Sequence, residues 1–321
     1  MKILLVGGSG FIGKSFIHSF NNNKLKKFNI NKIYIISRNT EILKNKLHNL
    51  KNIILIKADI GKIKKLPKTD IVIYLAESTN IEIYKKNKKI FEQYKKAIDN
   101  FFNIIKGFKN TKVLYCSSGA VYKKQKSKKK LDEKTDLRTY DNFLDYKSVY
   151  SRIKIYSENK IKQLGFYGVK SSIARCFSFI GVSLPMDRHY AIGNFFHDGF
   201  FNKYINVKAS RSITRSYMYA DDLVDWLIKI AKHSKLNCPI YNVGSDKPIN
   251  VRDLAKKIGK IFKKPLKFKK STNKEIDYYV PNIRKAKREL NLKINYNLIR
   301  SIYLTIKYLN AKIYWYCNTN I

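Results

Sequence analysis

Lys2-Ile-Leu-Leu-Val-Gly-Gly-Ser-Gly-Phe-Ile-Gly13 is the stretch whose reading decides the fold. Ile3 to Val6 is an unbroken apolar run, the pattern of a strand buried on both faces, and Gly7, Gly10 and Gly13 follow it at i, i+3 and i+6. Lys14-Ser-Phe-Ile-His-Ser-Phe20 then reads as a helix. Glycine suits all three positions for physical reasons. The turn is tight, the backbone must approach a pyrophosphate closely, and the helix must pack hard on the strand while its first N–H groups face the anion. A dinucleotide site is therefore expected around Gly7, Gly10, Phe11, Ile12 and Gly13.

Further strands follow at Lys32-Ile-Tyr-Ile-Ile-Ser37, Ile53-Ile-Leu-Ile56 and Ile71-Val-Ile-Tyr-Leu75. The second strand ends at Arg38, where an NAD-selective site carries an acid for the ribose 2′-hydroxyl. A guanidinium there can pair instead with a 2′-phosphate, which favours NADP over NAD. Asp59 and Ile60 after the third strand, and Leu75 and Ala76 after the fourth, complete the expected cofactor surface. Asp59 as an ordinary helix cap explains that residue equally well.

Tyr150-Ser-Arg-Ile-Lys154 carries the chemistry. A phenol titrates near about 10, too high for a base at neutral pH, but an ammonium four residues later on the same helix face favours the phenolate. Tyr-x-x-x-Lys is common in so Lys- and Tyr-rich a chain. This copy follows Val113-Leu-Tyr-Cys-Ser-Ser-Gly-Ala-Val-Tyr122, a strand whose C-terminal end presents Ser117 and Ser118, and ligands of open parallel sheets sit at that end.

These motifs resemble the extended short-chain dehydrogenase/reductases, the NAD(P)-dependent epimerases and dehydratases of nucleotide sugars. The resemblance runs through Tyr150-x-x-x-Lys154-x-x-x-Glu158, Arg175-Cys-Phe-Ser-Phe-Ile-Gly181, Arg215-Ser-Tyr-Met-Tyr-Ala-Asp-Asp222, Tyr241-Asn-Val-Gly-Ser245 and Lys285-Ala-Lys-Arg-Glu-Leu290. It implies that Ser118 is the catalytic hydroxyl, Tyr150 the acid/base, and Lys154 its partner and a ribose ligand. Arg215 is implied as the substrate diphosphate ligand, bidentate contact being what a guanidinium offers. Ser178 and Asn194 are implied as further substrate contacts. Members also pair Phe91–Ile105 and the Tyr150 helix across a two-fold, so a homodimer is expected.

Departures from the family pattern narrow the reaction. Its 4,6-dehydratases carry Asp-Glu after the catalytic hydroxyl, where this chain has Gly119 and Ala120, which argues against dehydration. Ser178 stands where most members have Asn, and Val182 where proline is usual. The segment Leu184–Phe196 is similar to members associated with bacterial surface-polysaccharide clusters, a likeness that does not fix a reaction.

The layout predicts an α/β fold: a Rossmann-type doubly wound parallel sheet with a smaller C-terminal substrate-binding domain. Residues 1–175, completed by about 222–245, form the expected NAD(P)-binding domain, and 176–221 with 246–321 the substrate-binding domain. Asp222–Ala231 and Val251–Gly259 read as amphipathic helices, and Ile240–Val243 as a strand.

At 321 residues with 44% hydrophobic content, the chain can bury a large core. No apolar run reaches the roughly 18 residues that span a bilayer, and no secretory segment is recognisable, so a cytoplasmic protein without membrane contact is expected. Cys116, Cys176, Cys238 and Cys317 show no metal spacing and suit a reducing compartment; Cys116 reads as a small core residue. The five histidines form no ligand pattern, so no metal is expected; His189 and His197 are candidates for the substrate pocket or for ordinary surface positions. A formal charge of +43 attracts polyanions at low salt. Lysine is nevertheless spread through every segment, and the densest run, Lys123–Lys130, falls in a loop, so no specific nucleic-acid partner is expected.

The expected activity is hydride exchange at a hexose carbon, C4 in the leading reading, of a nucleoside-diphosphate sugar: an epimerase in surface-polysaccharide or deoxysugar synthesis. An NADPH-dependent 4-keto-sugar reductase is the alternative, and a non-catalytic NADP-binding protein the second.

Overall fold

A computed structural model of the chain describes residues 1–44, 51–124, 127–138, 146–186, 190–270 and 275–318. Seven strands, β1 (Lys2–Val6), β2 (Lys32–Ser37), β3 (Ile53–Lys57), β4 (Ile71–Tyr74), β5 (Lys112–Ser118), β6 (Ser171–Cys176) and β7 (Ile240–Val243), form one sheet in the order β7-β6-β5-β4-β1-β2-β3. Every pairing in it is parallel. The order reverses between β1 and β4, and a crevice opens there because the connections leave on opposite faces.

Period-two alternation feeds two cores. Ile3, Leu5, Ile33, Ile35, Ile71 and Ile73 pack on one face with Phe16 and Ile17 of α1 (Phe11–Asn21). Leu4, Val6, Val72 and Tyr74 point to the other face, onto Ile98, Phe101 and Phe102 of α2 (Ile90–Ile105) and Ile161 of α3 (Tyr146–Lys162). Burial on both faces explains why these strands read as continuous apolar runs.

A third core lies outside the sheet. Ile192, Phe195 and Phe196 of α4 (Ala191–Phe201) pack with Leu254 and Ile258 of a later helix, Val251–Phe262, and with Ile302 of Leu298–Asn318. The region after residue 176, which reads as irregular in sequence, contains paired strands of two to four residues. Phe179–Ile180 runs parallel to Met218–Tyr219, Ile205–Val207 pairs with Leu266–Phe268, and Ser212–Arg215 lies between Ile249–Asn250 and Ile276–Tyr279. Strands this short carry no periodicity, and their partners are far away in sequence.

Among the described residues, no helix is long and apolar enough to cross a membrane. Gln125 and Lys126 of the basic run, and His189, lie outside the described residues. Cys116, Cys176 and Cys238 are buried free thiols; the Cys317 side chain is outside the described set.

Candidate active site

A cavity of about 2070 Å³ opens at the C-terminal ends of β1, β4 and β5 and extends to the third core. Pockets for drug-sized ligands run to roughly 300–1,000 Å³, so this cavity is larger than one such ligand requires. The glycine turn, Arg38 and Asp59 line one end; Ser118, Tyr150 and Lys154 stand in the same cavity; Ser178, Asn194, His197 and Arg215 line it as well.

The glycine turn meets all three demands read from the sequence. Gly7 adopts φ +82°, and a β-carbon there would stand 2.3 Å from the Ala76 Cα at the end of β4. At Gly13 a β-carbon would lie 2.0 Å from the Gly8 carbonyl oxygen, so helix and turn touch backbone to backbone. A β-carbon on Gly10 would instead meet nothing within 4 Å and project into open space. Gly10 is also the N-cap of α1, with no side chain capping the helix, so the first N–H groups are available to an anion. These residues fit the pyrophosphate of a dinucleotide. Phe11, Ile12, Ile60, Leu75 and Ala76 also line the cavity. Asp59 lines the cavity, and its Oδ1 accepts the Gly61 N–H at 2.8 Å; no helix begins there, only a turn, so the helix-cap reading does not hold. Arg38 is exposed on the cavity wall beside Ser37.

Ser118 ends β5. Its Oγ accepts the Ala120 N–H at 3.2 Å, leaving its own O–H to donate, and its hydroxyl favours the Tyr150 phenolate. Tyr150 packs edge-on against Tyr84, ring centroids 5.6 Å apart. The Lys154 Nζ stands 5.7 Å from the Tyr150 ring centroid, as the i, i+4 spacing predicts. Electrostatically the site differs from the sequence reading. Burial raises the Tyr150 phenol above its ordinary value, and the opposing influence of Lys154 and Ser118 does not reverse it. Part of the reason is Glu77, whose carboxylate lies 2.6 Å from Lys154 Nζ and itself pushes the phenol up. Sequence reasoning assigned Glu77 no role, and a lone acid after an apolar strand gave no signal for one.

Arg215 Nη1 donates to Asp277 Oδ1 at 2.8 Å and to the Thr214 and Asp277 carbonyls. Arg211 Nη2 donates to the other Asp277 oxygen at 2.9 Å. Burial alone would raise the Asp277 carboxyl, but the two guanidiniums outweigh it and hold the group below its ordinary value. Arg211, just before the strand Ser212–Arg215, was missed from sequence. His197, near half exposed, lies 3.9 Å from Asp198.

Other motif residues lie behind the cavity. Glu158 takes Arg175 in a two-point ion pair at 2.7 and 3.0 Å and accepts the Ser117 hydroxyl at 2.5 Å. Tyr122 donates to Asn242 Oδ1 at 2.7 Å, with the Arg175 guanidinium over its ring. This buried network ties α3, β5, β6 and β7 together and fixes the ends of the strands that carry the site. No group of three or more His, Cys, Asp or Glu side chains among the described residues is placed to hold a metal ion.

The model of the NAD dependent epimerase/dehydratase family matches residues 3–244, and the chain belongs to that family. It is 26% identical over 272 residues to a dTDP-D-glucose 4,6-dehydratase of Dictyostelium discoideum; the match covers 80% of this chain and 61% of that protein. Among solved structures, a dTDP-glucose 4,6-dehydratase from Streptomyces venezuelae with NAD bound superposes with a TM-score of 0.82 at 16% identity, covering 98% of both chains. A UDP-N-acetylglucosamine 4-epimerase from Methanobrevibacter ruminantium superposes with a TM-score of 0.80 at 20% identity, covering 97% of this chain and 98% of that one. At such identities the likeness is one of fold, and that fold serves dehydratases and epimerases alike.

Proposed function

We propose that this member of the NAD dependent epimerase/dehydratase family is a nucleotide-sugar epimerase that exchanges hydride at a hexose carbon, C4 in the leading reading. The observation that carries the proposal is the sharing of one cavity by the glycine turn, the Ser118–Tyr150–Lys154 set and Arg215. A bound nicotinamide supplies the hydride acceptor and donor. Tyr150 takes the proton of the sugar hydroxyl and later returns it, Ser118 donates a hydrogen bond to the reacting oxygen, and Lys154 orients the phenol and reaches the ribose. Arg215 holds the diphosphate, with Ser178 and Asn194 against the sugar. The segments of the third core fold over the sheet as the substrate-binding unit, residues 176–221 and 246–321.

Dehydration is disfavoured by space as well as by sequence. A β-carbon on Gly119 would stand 2.7 Å from both the tip of the Phe177 ring and the Tyr279 hydroxyl, so the acid that dehydratases carry there would require those two side chains to move. Arg38 on the cavity wall favours a second reading, an NADPH-dependent 4-keto-sugar reductase. NADP or NAD is the cofactor, Arg38 tilting the choice to NADP. Helices α2 and α3 pack together within the chain, and a homodimer would use their outer faces.

The test is incubation of the purified protein with NAD+ and a panel of nucleoside-diphosphate hexoses, the products resolved by NMR. An epimer formed without net cofactor reduction supports the proposal. A 4-keto-6-deoxy product overturns it for a dehydratase, and NADPH consumption with only a 4-keto sugar overturns it for the reductase.

A further inference from the structure

Beside the three cores, Tyr84, Ile90, Tyr94 and Ile153 form a small apolar cluster, and the Tyr150 ring packs against it. Tyr84 comes from the short helix Ile81–Lys86, which follows the loop leaving β4. Its ring centroid lies 5.6 Å from that of Tyr150, with the two planes 85° apart. The Tyr84 hydroxyl donates to the Ser78 carbonyl at 2.5 Å, and the Ser78 N–H donates to the Tyr94 hydroxyl oxygen of α2 at 3.0 Å. Two tyrosines on different helices therefore grip one loop residue. The loop is braced again at Asn80, whose N–H donates to Ser78 Oγ at 3.0 Å and whose Oδ1 accepts the Glu82 N–H at 3.2 Å, capping the helix that carries Tyr84.

We propose that Tyr84 is a positioning residue: its ring holds the Tyr150 ring in the one orientation that keeps the phenol in the cavity beside Ser118. The proposal rests on the reading of Tyr150 as the acid/base of the function proposed above. An α-helix leaves an aromatic side chain two χ1 wells, so α3 by itself does not decide where the Tyr150 hydroxyl stands. Lys154 attracts the phenolate oxygen by charge, and charge attraction is weakly directional. A perpendicular contact between two rings is directional, because the positive edge of one faces the negative face of the other.

The chemistry needs that choice to be made. Proton transfer requires the phenol within about 2.6–3.2 Å of the sugar hydroxyl, and a change of χ1 well carries it out of that reach. Tyr84 can make the choice because it does not itself wander: it is buried, its hydroxyl is tied to Ser78, and the loop that ties it is held from α2. A contact of this kind shifts the ratio of the two wells by about two- to tenfold.

Tyr84→Leu, which removes the ring, and Tyr84→Phe, which keeps it and removes only the hydroxyl, test the proposal by crystal structure and by kinetics. In Y84L the Tyr150 ring should lose its single orientation, and kcat should fall about two- to tenfold with KM little changed. In Y84F the ring should stay in place and kcat should recover, at a cost in melting temperature for the lost bond to Ser78. A residue that only supports the fold would lower the melting temperature without separating kcat from KM. An unmoved Tyr150 ring in folded Y84L overturns the proposal. A raised KM at constant kcat overturns it as well, making Tyr84 a substrate contact, and so does a Y84F as slow as Y84L, which would place the effect in the hydroxyl. Should Y84L not fold, Tyr84→Met fills more of the ring's volume without its flat edge and is read by the same criteria. A protein that turns over no nucleotide sugar, or one that keeps full turnover as Tyr150→Phe, sinks the acid/base reading, whereas the orientation of the Tyr150 ring in Y84L still decides this one.

Discussion

The Arg215 guanidinium donates to the Asp277 carboxylate at 2.8 Å inside the cavity, and Arg211 holds the other oxygen of the same carboxylate at 2.9 Å. A single acid thus holds two cations, one of them Arg215, the diphosphate ligand of the proposed function. Asp277→Asn should free both guanidiniums and tighten binding of a nucleoside diphosphate severalfold, read by calorimetry, whereas Arg215→Lys should weaken it about tenfold or more because an ammonium cannot contact two oxygens in a fixed fork.

The same carboxylate makes a pH prediction. Its folded value lies below the unfolded one of about 3.9, so its contribution to stability is present in full above that value and is lost as pH falls through the lowered folded value. The stability difference between the protein and Asp277→Asn should therefore shrink as the solution is acidified below about pH 4. Urea unfolding at a series of pH values measures it.

Gly10 and Gly13 should respond differently to the same substitution. Gly10→Val projects into open space, so the melting temperature should hold while dinucleotide affinity falls about tenfold or more. Gly13→Val drives a side chain into the Gly8 carbonyl and should cost about 1–3 kcal/mol of stability or more. Paired thermal melts and fluorescence titrations separate the two effects.

Tyr150→Phe should lower turnover by about 10²–10⁴-fold and leave dinucleotide binding close to unchanged, since the proposed function has the phenol move a proton and the glycine turn hold the ligand. Equal losses of turnover and binding would instead make Tyr150 a packing residue.

Arg38→Ala should weaken NADPH about tenfold and leave NADH unaffected, if the guanidinium pairs with a 2′-phosphate. Direct titration with both dinucleotides checks it, and equal affinities before and after substitution would make Arg38 a solvated cation.

What could be read from the chain alone was what is local. Ile3–Val6 with Gly7, Gly10 and Gly13 specifies strand, turn and helix within a dozen residues, and the apolar strands that follow specify a sheet buried on both faces. Tyr150 and Lys154 share a helix face because of the helical repeat, whatever the rest of the molecule does. Tertiary structure alone decided what meets across long separations. Glu77 reaches Lys154 because β4 and α3 converge beside the cavity, and Asp277 reaches Arg215 because two short strands pair side by side. The close neighbours of Gly119, the side-chain tips of Phe177 and Tyr279, likewise arrive from distant parts of the chain. The physical reason is range: backbone geometry and side-chain periodicity act over a few residues and leave a pattern in sequence, whereas charge pairing and steric exclusion act between surfaces that only the folded chain brings together.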